Sequence, residues 1–93
     1  ILGATDDCLK LNPIKDKIIG LGIDTIEVNG HDYKELSTAF KINADKPMLT
    51  CMVANTIKGK GVSFMEGNNK YHSVKKLPLI EYEKAMKELD ETI

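Results

Sequence analysis

The sequence is short of cysteine, of net charge and of long apolar runs, and each shortage excludes a class of protein. Cys8 and Cys51 are its only cysteines, which is too few for a secreted disulfide scaffold and favours a reducing, cytoplasmic location. Thirteen basic and fourteen acidic side chains give a net charge of −1, so we do not expect a general nucleic-acid or membrane-surface binder. No apolar run approaches the roughly 20 residues of a membrane span. The chain begins at Ile1 rather than Met, which indicates a processed, trimmed or partial N-terminus.

Side chains that bind metals are scarce as well. The two histidines and two cysteines are not closely spaced, so they do not form a zinc site. The pair Asp6-Asp7 is too short for a calcium loop. We therefore expect no metal ligands within this chain.

Hydrophobic spacing predicts one small α/β domain that begins with a helix. Residues 1–12 have no regular pattern. A helix is expected at 13–21, with Asn12 as its N-cap and Pro13 at the first helical position, where the missing N–H costs nothing.

A strand–helix–strand unit follows this helix. Residues 25–28 are β-branched and alternating, and the capping-box spacing of Asp32 and Glu35 begins a helix at 33–43. The nearly continuous apolar run at 48–54 suits a strand that is buried on both faces. Together they predict a right-handed βαβ unit, that is, a partial parallel sheet with flanking helices.

The rest of the chain is a long loop and a closing helix. Residues 55–78 show no helical or strand period, and a loop of that length is usually functional or disordered. The amphipathic helix at 79–91 has its charged side chains on what we interpret as a solvated face.

The position and charge of the loop predict a ligand site. Loops that follow parallel strands leave from one edge of the sheet, where open α/β sheets bind ligands. This loop has five lysines and one glutamate, so we expect it to bind a phosphate-bearing small molecule. These residues are Lys58, Lys60, Lys70, Lys75, Lys76 and Glu66.

Two features of the loop could carry chemistry. Gly59-Lys60-Gly61 allows a close backbone approach and an anion-binding concavity, although a tight turn after a strand explains the same pattern. His72 could donate a proton to an oxyanion or a phosphate, or it is simply an exposed loop histidine. His31 is interpreted first as a turn residue near a helix cap.

Three segments carry a family resemblance. They are IEVNGHDYKEL at 26–36, ANTIKGKGVSFMEGNNKYH at 54–72 and EYEKAMKEL at 81–89. In this order they resemble the second half of the thiamine-diphosphate-binding domain of transketolases, particularly the N-terminal subunit of split transketolases. The resemblance runs from about Leu2 to Leu89, so residues 1–93 are expected to form a single partial domain.

The resemblance implies a transferase of carbohydrate metabolism, acting in the cytoplasm and in the pentose phosphate pathway. Such an enzyme moves a two-carbon ketol unit between sugar phosphates and depends on thiamine diphosphate and Mg²⁺. It implies that His72 is catalytic, contacting the cofactor's phosphates and the reacting hydroxyls of the sugar. Lys58, Gly59 and Gly61, with His72, are expected to bind the cofactor.

Other parts of the family's site are not carried over. Tyr71 and Ser73 stand where the family usually has Trp and Gly, which leaves the shape of the substrate mouth, and so the sugar, unassigned. The family's Mg²⁺ ligands lie upstream of the matching region, and the glutamate that activates the aminopyrimidine ring lies in another domain. We therefore expect the isolated chain to be inactive, and to work with complementary transketolase chains in a dimer or higher assembly, without nucleic acid or membrane.

Two alternatives stay open. The chain could belong to a sister thiamine diphosphate enzyme, such as deoxyxylulose-phosphate synthase or a 2-oxoacid dehydrogenase of the E1 type, although SFMEGN at 63–68 favours transketolase. It could also be a non-catalytic interaction module that retains the fold.

Overall fold

The computed structural model describes residues 1–92, which form two compact units. One unit comprises Leu9–Thr56, and the other comprises Ile1–Cys8 together with residues 57–92. In chain order the elements are α1 (Thr5–Cys8), α2 (Ile14–Gly20), β1 (Asp24–Asn29), α3 (Tyr33–Ala44), β2 (Thr50–Asn55), a 3₁₀ helix (Asn69–Tyr71) and α4 (Leu79–Thr92). The predicted α/β class, a partial parallel sheet with flanking helices, is confirmed.

The first unit is built on a parallel pair of strands. β1 and β2 pair in parallel, with Thr25 opposite Cys51 and Val28 opposite Ala54, and α2 and α3 both contact β1. Val28 and Ala39 are buried between these elements, and the buried Thr25 hydroxyl donates to the Ile23 carbonyl at 2.9 Å. The strand–helix–strand unit is therefore confirmed, and its right-handed crossover stays a prediction.

The start of α3 follows the capping rule that the sequence predicts, with one change. The Asp32 carboxylate accepts the amides of Lys34 at 2.8 Å and Glu35 at 3.1 Å. The Glu35 carboxylate accepts the Asn29 amide at 2.7 Å instead of the Asp32 amide. The reason is that the Asp32 amide already donates to the Asn29 carbonyl at 3.1 Å.

Two predictions near the N-terminus are wrong in detail. Pro13, not Asn12, is the N-cap of α2, because its backbone is extended and its carbonyl accepts the first helical bond, from Lys17, at 3.3 Å. Pro13 itself makes no side-chain hydrogen bond to the helix. The stretch expected to be irregular contains α1, in which the Cys8 amide donates to the Ala4 carbonyl at 3.2 Å.

The burial predicted for the second strand is also wrong. β2 starts two residues late, and the side chains of Met48 and Leu49 before it are 63% and 75% exposed. Residues 50–53 are half-buried, and Ala54 and Asn55 are exposed. The described sheet has two strands, so β2 has a strand neighbour on one side only, and its contacts with α2 and α3 leave it half-buried.

The second unit contains α1, α4 and the long loop that precedes α4. Val62 of the loop and Ala85 of α4 are its buried apolar residues. No helix within residues 1–92 combines the length and the apolarity that a membrane span requires. Cys8 and Cys51 are both free thiols, and the cytoplasmic location stays a prediction.

Candidate functional site

The loop that carries the predicted site residues is held by its own backbone hydrogen bonds. The Lys58 carbonyl accepts the Gly67 amide at 2.8 Å, which closes the loop on itself. The Val62 carbonyl accepts the amides of Met65 and Glu66 at 2.9 and 3.1 Å, and the Val62 amide donates to the Gly59 carbonyl at 3.2 Å. Gly59-Lys60-Gly61 is thus part of a tight turn, which is one of the two interpretations of that pattern.

Gly59 is needed for the packing of this turn. Its φ is +74°, and an added Cβ would lie 2.5 Å from the Met65 carbonyl oxygen. The close backbone approach that a glycine permits is therefore used inside the loop. Gly61 also has a positive φ, +98°, but a Cβ there would make an ordinary 3.4 Å contact with Leu89.

The turn binds a carboxylate of the same chain, that of Glu66. The Gly61 amide donates to the Glu66 carboxylate at 3.1 Å, and the Lys60 ammonium lies 3.5 Å from the same carboxylate oxygen. Turn amides next to a lysine are suited to an anion. In this chain Glu66 supplies it, so the Gly61 amide and Lys60 are already engaged.

Lys58 and His72 lie together, although they are 14 positions apart in sequence. The Lys58 Nζ is 3.4 Å from the His72 Nδ1, and both side chains are exposed. A neutral imidazole that accepts the lysine N–H at Nδ1 carries its own proton on Nε2 and can donate it outward; this tautomer is assigned from the hydrogen bond. The pair therefore offers N–H donors and positive charge at one place on the surface.

The 3₁₀ helix positions His72. Asn68 caps this helix by accepting the Lys70 amide at 3.0 Å, and the His72 amide donates to the Asn69 carbonyl at 3.0 Å. The sequence contains the signal for this turn, because asparagine commonly caps short helices through its side chain.

The helix α4 contacts the loop through three of its charged side chains, so the interpretation of its charges as a solvated face is wrong for Glu81, Lys84 and Glu88. The remaining charges of that face are exposed, as expected; they are Glu83, Lys87, Asp90 and Glu91. The Glu88 carboxylate accepts both the amide and the hydroxyl of Ser63, the latter at 2.8 Å. These bonds, the amide first, lower the pKa of Glu88 below its ordinary value. A carboxylate that accepts such bonds is favoured in its charged form.

Two more α4 side chains contact the aromatic part of the loop. The Tyr71 hydroxyl donates to the Glu81 carboxylate at 3.1 Å. Partial loss of water contact, and then Glu81, raises the pKa of Tyr71. The Lys84 Nζ lies 5.2 Å from the centre of the Phe64 ring, which packs edge-on against Tyr71 at 5.6 Å. The only sequence signal for these contacts is the helical spacing of Glu81, Lys84 and Glu88.

His31 lies in the other unit, at the carboxyl ends of the strands. Its amide donates to the Asn29 side chain at 2.9 Å, which agrees with its interpretation as a turn residue. The Gly30 amide beside it donates to the Asn55 carbonyl at 2.7 Å. A Cβ at Gly30 would lie 2.5 Å from the Thr56 side chain, so the two strand ends meet closely at this edge.

No group of three or more His, Cys, Asp or Glu side chains within residues 1–92 is arranged to hold a metal ion.

Comparison with known proteins identifies relatives of one kind. An apulose-4-phosphate transketolase subunit from Phocaeicola vulgatus is 35% identical over 97 aligned positions, which cover 100% of this chain. A 6-deoxy-6-sulfo-D-fructose transketolase subunit from a Clostridium species is 36% identical over 76 positions, or 78% of the chain. The chain is a homologue of transketolase subunits. The resemblance predicted from its motifs is confirmed.

The chain matches only part of these proteins. The aligned regions cover 33% of the first relative and 27% of the second. The corresponding apulose-4-phosphate transketolase subunit from Actinobacillus succinogenes is 30% identical over 72 positions, which cover 77% of the chain and 26% of that protein. The chain therefore spans at most about a third of the length of these relatives. No protein-family model matches it.

Proposed function

We propose that the chain supplies part of the cofactor and substrate site of a transketolase, for thiamine-diphosphate-dependent transfer of a two-carbon ketol unit. The observation that carries this proposal is the Lys58–His72 pair, 3.4 Å apart in a loop of a transketolase homologue. A cation and an imidazole at this distance are suited to binding a phosphate and to exchanging a proton.

The donors of this pair fit a phosphate of the cofactor or of a sugar. The lysine ammonium has three N–H donors and the imidazole has at least one, and both side chains are exposed. The Gly61 amide and Lys60 fit less well, since both already contact Glu66. We therefore assign phosphate binding to Lys58 and His72, and the shape of the loop beside the ligand to Gly59 and Gly61.

In this proposal the chain's own residues bind phosphate and orient the His72 imidazole. Thiamine diphosphate, when bound, supplies the electronic chemistry of breaking and forming the carbon–carbon bond. The Lys58 ammonium offsets phosphate charge and keeps a hydrogen bond on the Nδ1 of His72. His72 thereby directs its Nε2 proton toward a phosphate oxygen or a sugar hydroxyl, which makes it the catalytic group of this chain.

The relatives' names indicate the substrate class more broadly than the pentose phosphate pathway. They specify apulose 4-phosphate and 6-deoxy-6-sulfo-D-fructose. One carries a phosphate and the other a sulfonate, so both sugars have an anionic group. We therefore propose a ketose with an anionic group as donor substrate, and an aldose as acceptor.

Complementary chains are part of the proposal. All three relatives are named as subunits, and the Mg²⁺ ligands and the activating glutamate are expected outside this chain. We propose a cytoplasmic dimer or higher assembly in which other transketolase sequence supplies these groups.

A coupled assay of ketol transfer tests the proposal. The chain is assembled with the complementary transketolase sequence, and the donors are xylulose 5-phosphate, apulose 4-phosphate and 6-deoxy-6-sulfo-D-fructose. We expect transfer with at least one donor, and a loss of about tenfold or more in kcat/KM for Lys58→Ala and for His72→Ala, since each removes a charge-assisted contact.

The matched control is Lys75→Ala, which removes an exposed lysine of the same loop. It is expected to retain activity within about twofold, as an ordinary surface substitution does. Transfer from none of the three donors, or full activity of both Lys58→Ala and His72→Ala, would overturn the proposal.

A further inference from the structure

One face of α4 holds the loop that contains Lys58 and His72. Glu81, Lys84 and Glu88 are spaced by three and then four positions, which places them on the same side of the helix. Each contacts a different loop residue: Tyr71, Phe64 and Ser63, respectively. These three side chains thus attach the helix to the loop.

The attachment at Glu88 is the most specific of the three. Both of its carboxylate oxygens accept a bond, one from the Ser63 amide and the other from the Ser63 hydroxyl. Hydrogen bonds to an ionised carboxylate are stronger than those between neutral groups. The same two bonds lower the pKa of Glu88, so the carboxylate is charged at neutral pH.

A short series of contacts connects Ser63 to Lys58. Ser63 follows the buried Val62, whose carbonyl accepts the Met65 amide at 2.9 Å. The Met65 carbonyl in turn packs against Gly59, where even a Cβ has no room. The Gly67 amide then binds the Lys58 carbonyl at 2.8 Å. A shift of Ser63 therefore displaces the backbone that carries Lys58.

The other member of the pair is fixed from the same helix. Tyr71 precedes His72 and is bound by Glu81, and its ring packs against Phe64, the neighbour of Ser63. Both members of the pair thus depend on the same loop–helix attachment.

We infer that Glu88 is a positioning residue: by binding Ser63, it keeps the Lys58 ammonium beside the His72 imidazole. What the pair then binds rests on the proposed function. The attachment of the loop to α4 does not rest on it, so the two can be tested apart.

The test compares Glu88→Gln with Glu83→Gln in the assembled protein. Both remove one negative charge from α4, but Glu83 is exposed and is not one of the attaching residues Glu81, Lys84 and Glu88. Hydrogen exchange of residues 57–72 measures how often the loop backbone opens. His72→Ala is also introduced into the wild type and into each of the two variants. The factor by which it lowers kcat/KM in each protein shows whether Glu88 acts through His72.

We expect faster exchange in 57–72 and about a tenfold lower kcat/KM for Glu88→Gln, the scale of one lost charge-assisted bond, and neither change for Glu83→Gln. His72→Ala should then cost much less in the Glu88→Gln background than in the wild type, because the imidazole is already misplaced. A residue that only stabilised the fold would leave the cost of His72→Ala unchanged.

Ser63 provides a milder pair of variants if Glu88→Gln assembles poorly. Ser63→Ala removes the hydroxyl bond and keeps the amide bond, so we expect a smaller change of the same kind. Ser63→Thr retains a hydroxyl and should restore the slow exchange and the activity. Failure of Ser63→Thr to differ from Ser63→Ala would contradict the inference.

The outcomes separate the two proposals. Exchange in 57–72 that is the same for Glu88→Gln and Glu83→Gln overturns the positioning role, as does an unchanged cost of His72→Ala. Absence of ketol transfer from the wild-type assembly overturns the proposed function, and the exchange comparison still decides whether Glu88 holds the loop.

Discussion

At the scale of single residues, the loop depends on glycines whose backbone conformation other residues rarely adopt. Gly59 and Gly67 both have a positive φ, +74° and +65°. Around Gly67 there is open space, whereas a Cβ at Gly59 would meet the Met65 backbone. An alanine at position 67 therefore costs only the free energy of the positive φ, whereas an alanine at position 59 also makes a steric clash.

Gly59→Ala is predicted to disrupt the loop, and Gly67→Ala to weaken it only moderately. A positive φ costs an alanine about 1–2 kcal/mol, and this is the whole cost expected at position 67. At position 59 the 2.5 Å contact with the Met65 oxygen adds to it, and backbone must move. Hydrogen exchange of residues 57–72 in the assembled protein measures both. Equal effects of the two variants would show that the turn does not pack as described.

The individual residues of the loop could be predicted from the sequence, but their pairing could not. The lysines and His72 were identifiable from composition and position, and Gly59 was identifiable as part of a turn. The pairing of Lys58 with His72, and of Lys60 with Glu66, depends on how a loop with several positive-φ glycines folds back. No periodic pattern encodes that path, so the sequence predicted a basic, phosphate-binding loop but neither of these two pairings.

At the scale of elements, periodicity predicted the strands and helices of the first unit well. The β-branched run became β1, and the Asp32 cap of α3 formed as expected. The burial of β2 was predicted wrongly, because an apolar run does not tell how many neighbours a strand has. Three charges of α4, those of Glu81, Lys84 and Glu88, were misinterpreted as solvated for a related reason: helical spacing identifies a polar face but not a loop that folds onto it.

The attachment of the loop to α4 is predicted to weaken at both ends of the pH range. The pKa of Glu88 is lowered from 4.5, so its contribution is complete above pH 4.5 and is lost as pH falls through the lowered value. The pKa of Tyr71 is raised from 10.0, so its bond to Glu81 is present below pH 10.0 and is lost as pH rises through the raised value.

Protection factors for hydrogen exchange in 57–72, measured across pH in the assembled protein, check this prediction. We expect a plateau between these limits, with the acid fall absent in Glu88→Gln and the alkaline fall absent in Tyr71→Phe. If the protection factors still fell at acid pH in Glu88→Gln and at alkaline pH in Tyr71→Phe, other groups would be responsible for the pH dependence.

At the scale of the whole molecule, the described residues bury little apolar surface. Val28, Ala39, Val62 and Ala85 are their only buried apolar residues, and no large side chain among residues 1–92 is completely buried. Many large apolar side chains are exposed, including Tyr33 at 87% and Ile80 at 80%. Exposed apolar surface of this extent is typical of chains that pack against others. This agrees with a chain that spans about a third of its first relative.

The central claim is that this chain contributes the Lys58–His72 pair to a thiamine diphosphate site that other transketolase sequence completes. Titration calorimetry with thiamine diphosphate and Mg²⁺ tests it most directly, on the chain alone and on the chain mixed with the products of neighbouring genes. We expect binding only in the mixture, and binding that is about tenfold weaker there with His72→Ala. No binding in either sample, or equal binding by the wild type and His72→Ala in the mixture, would contradict it.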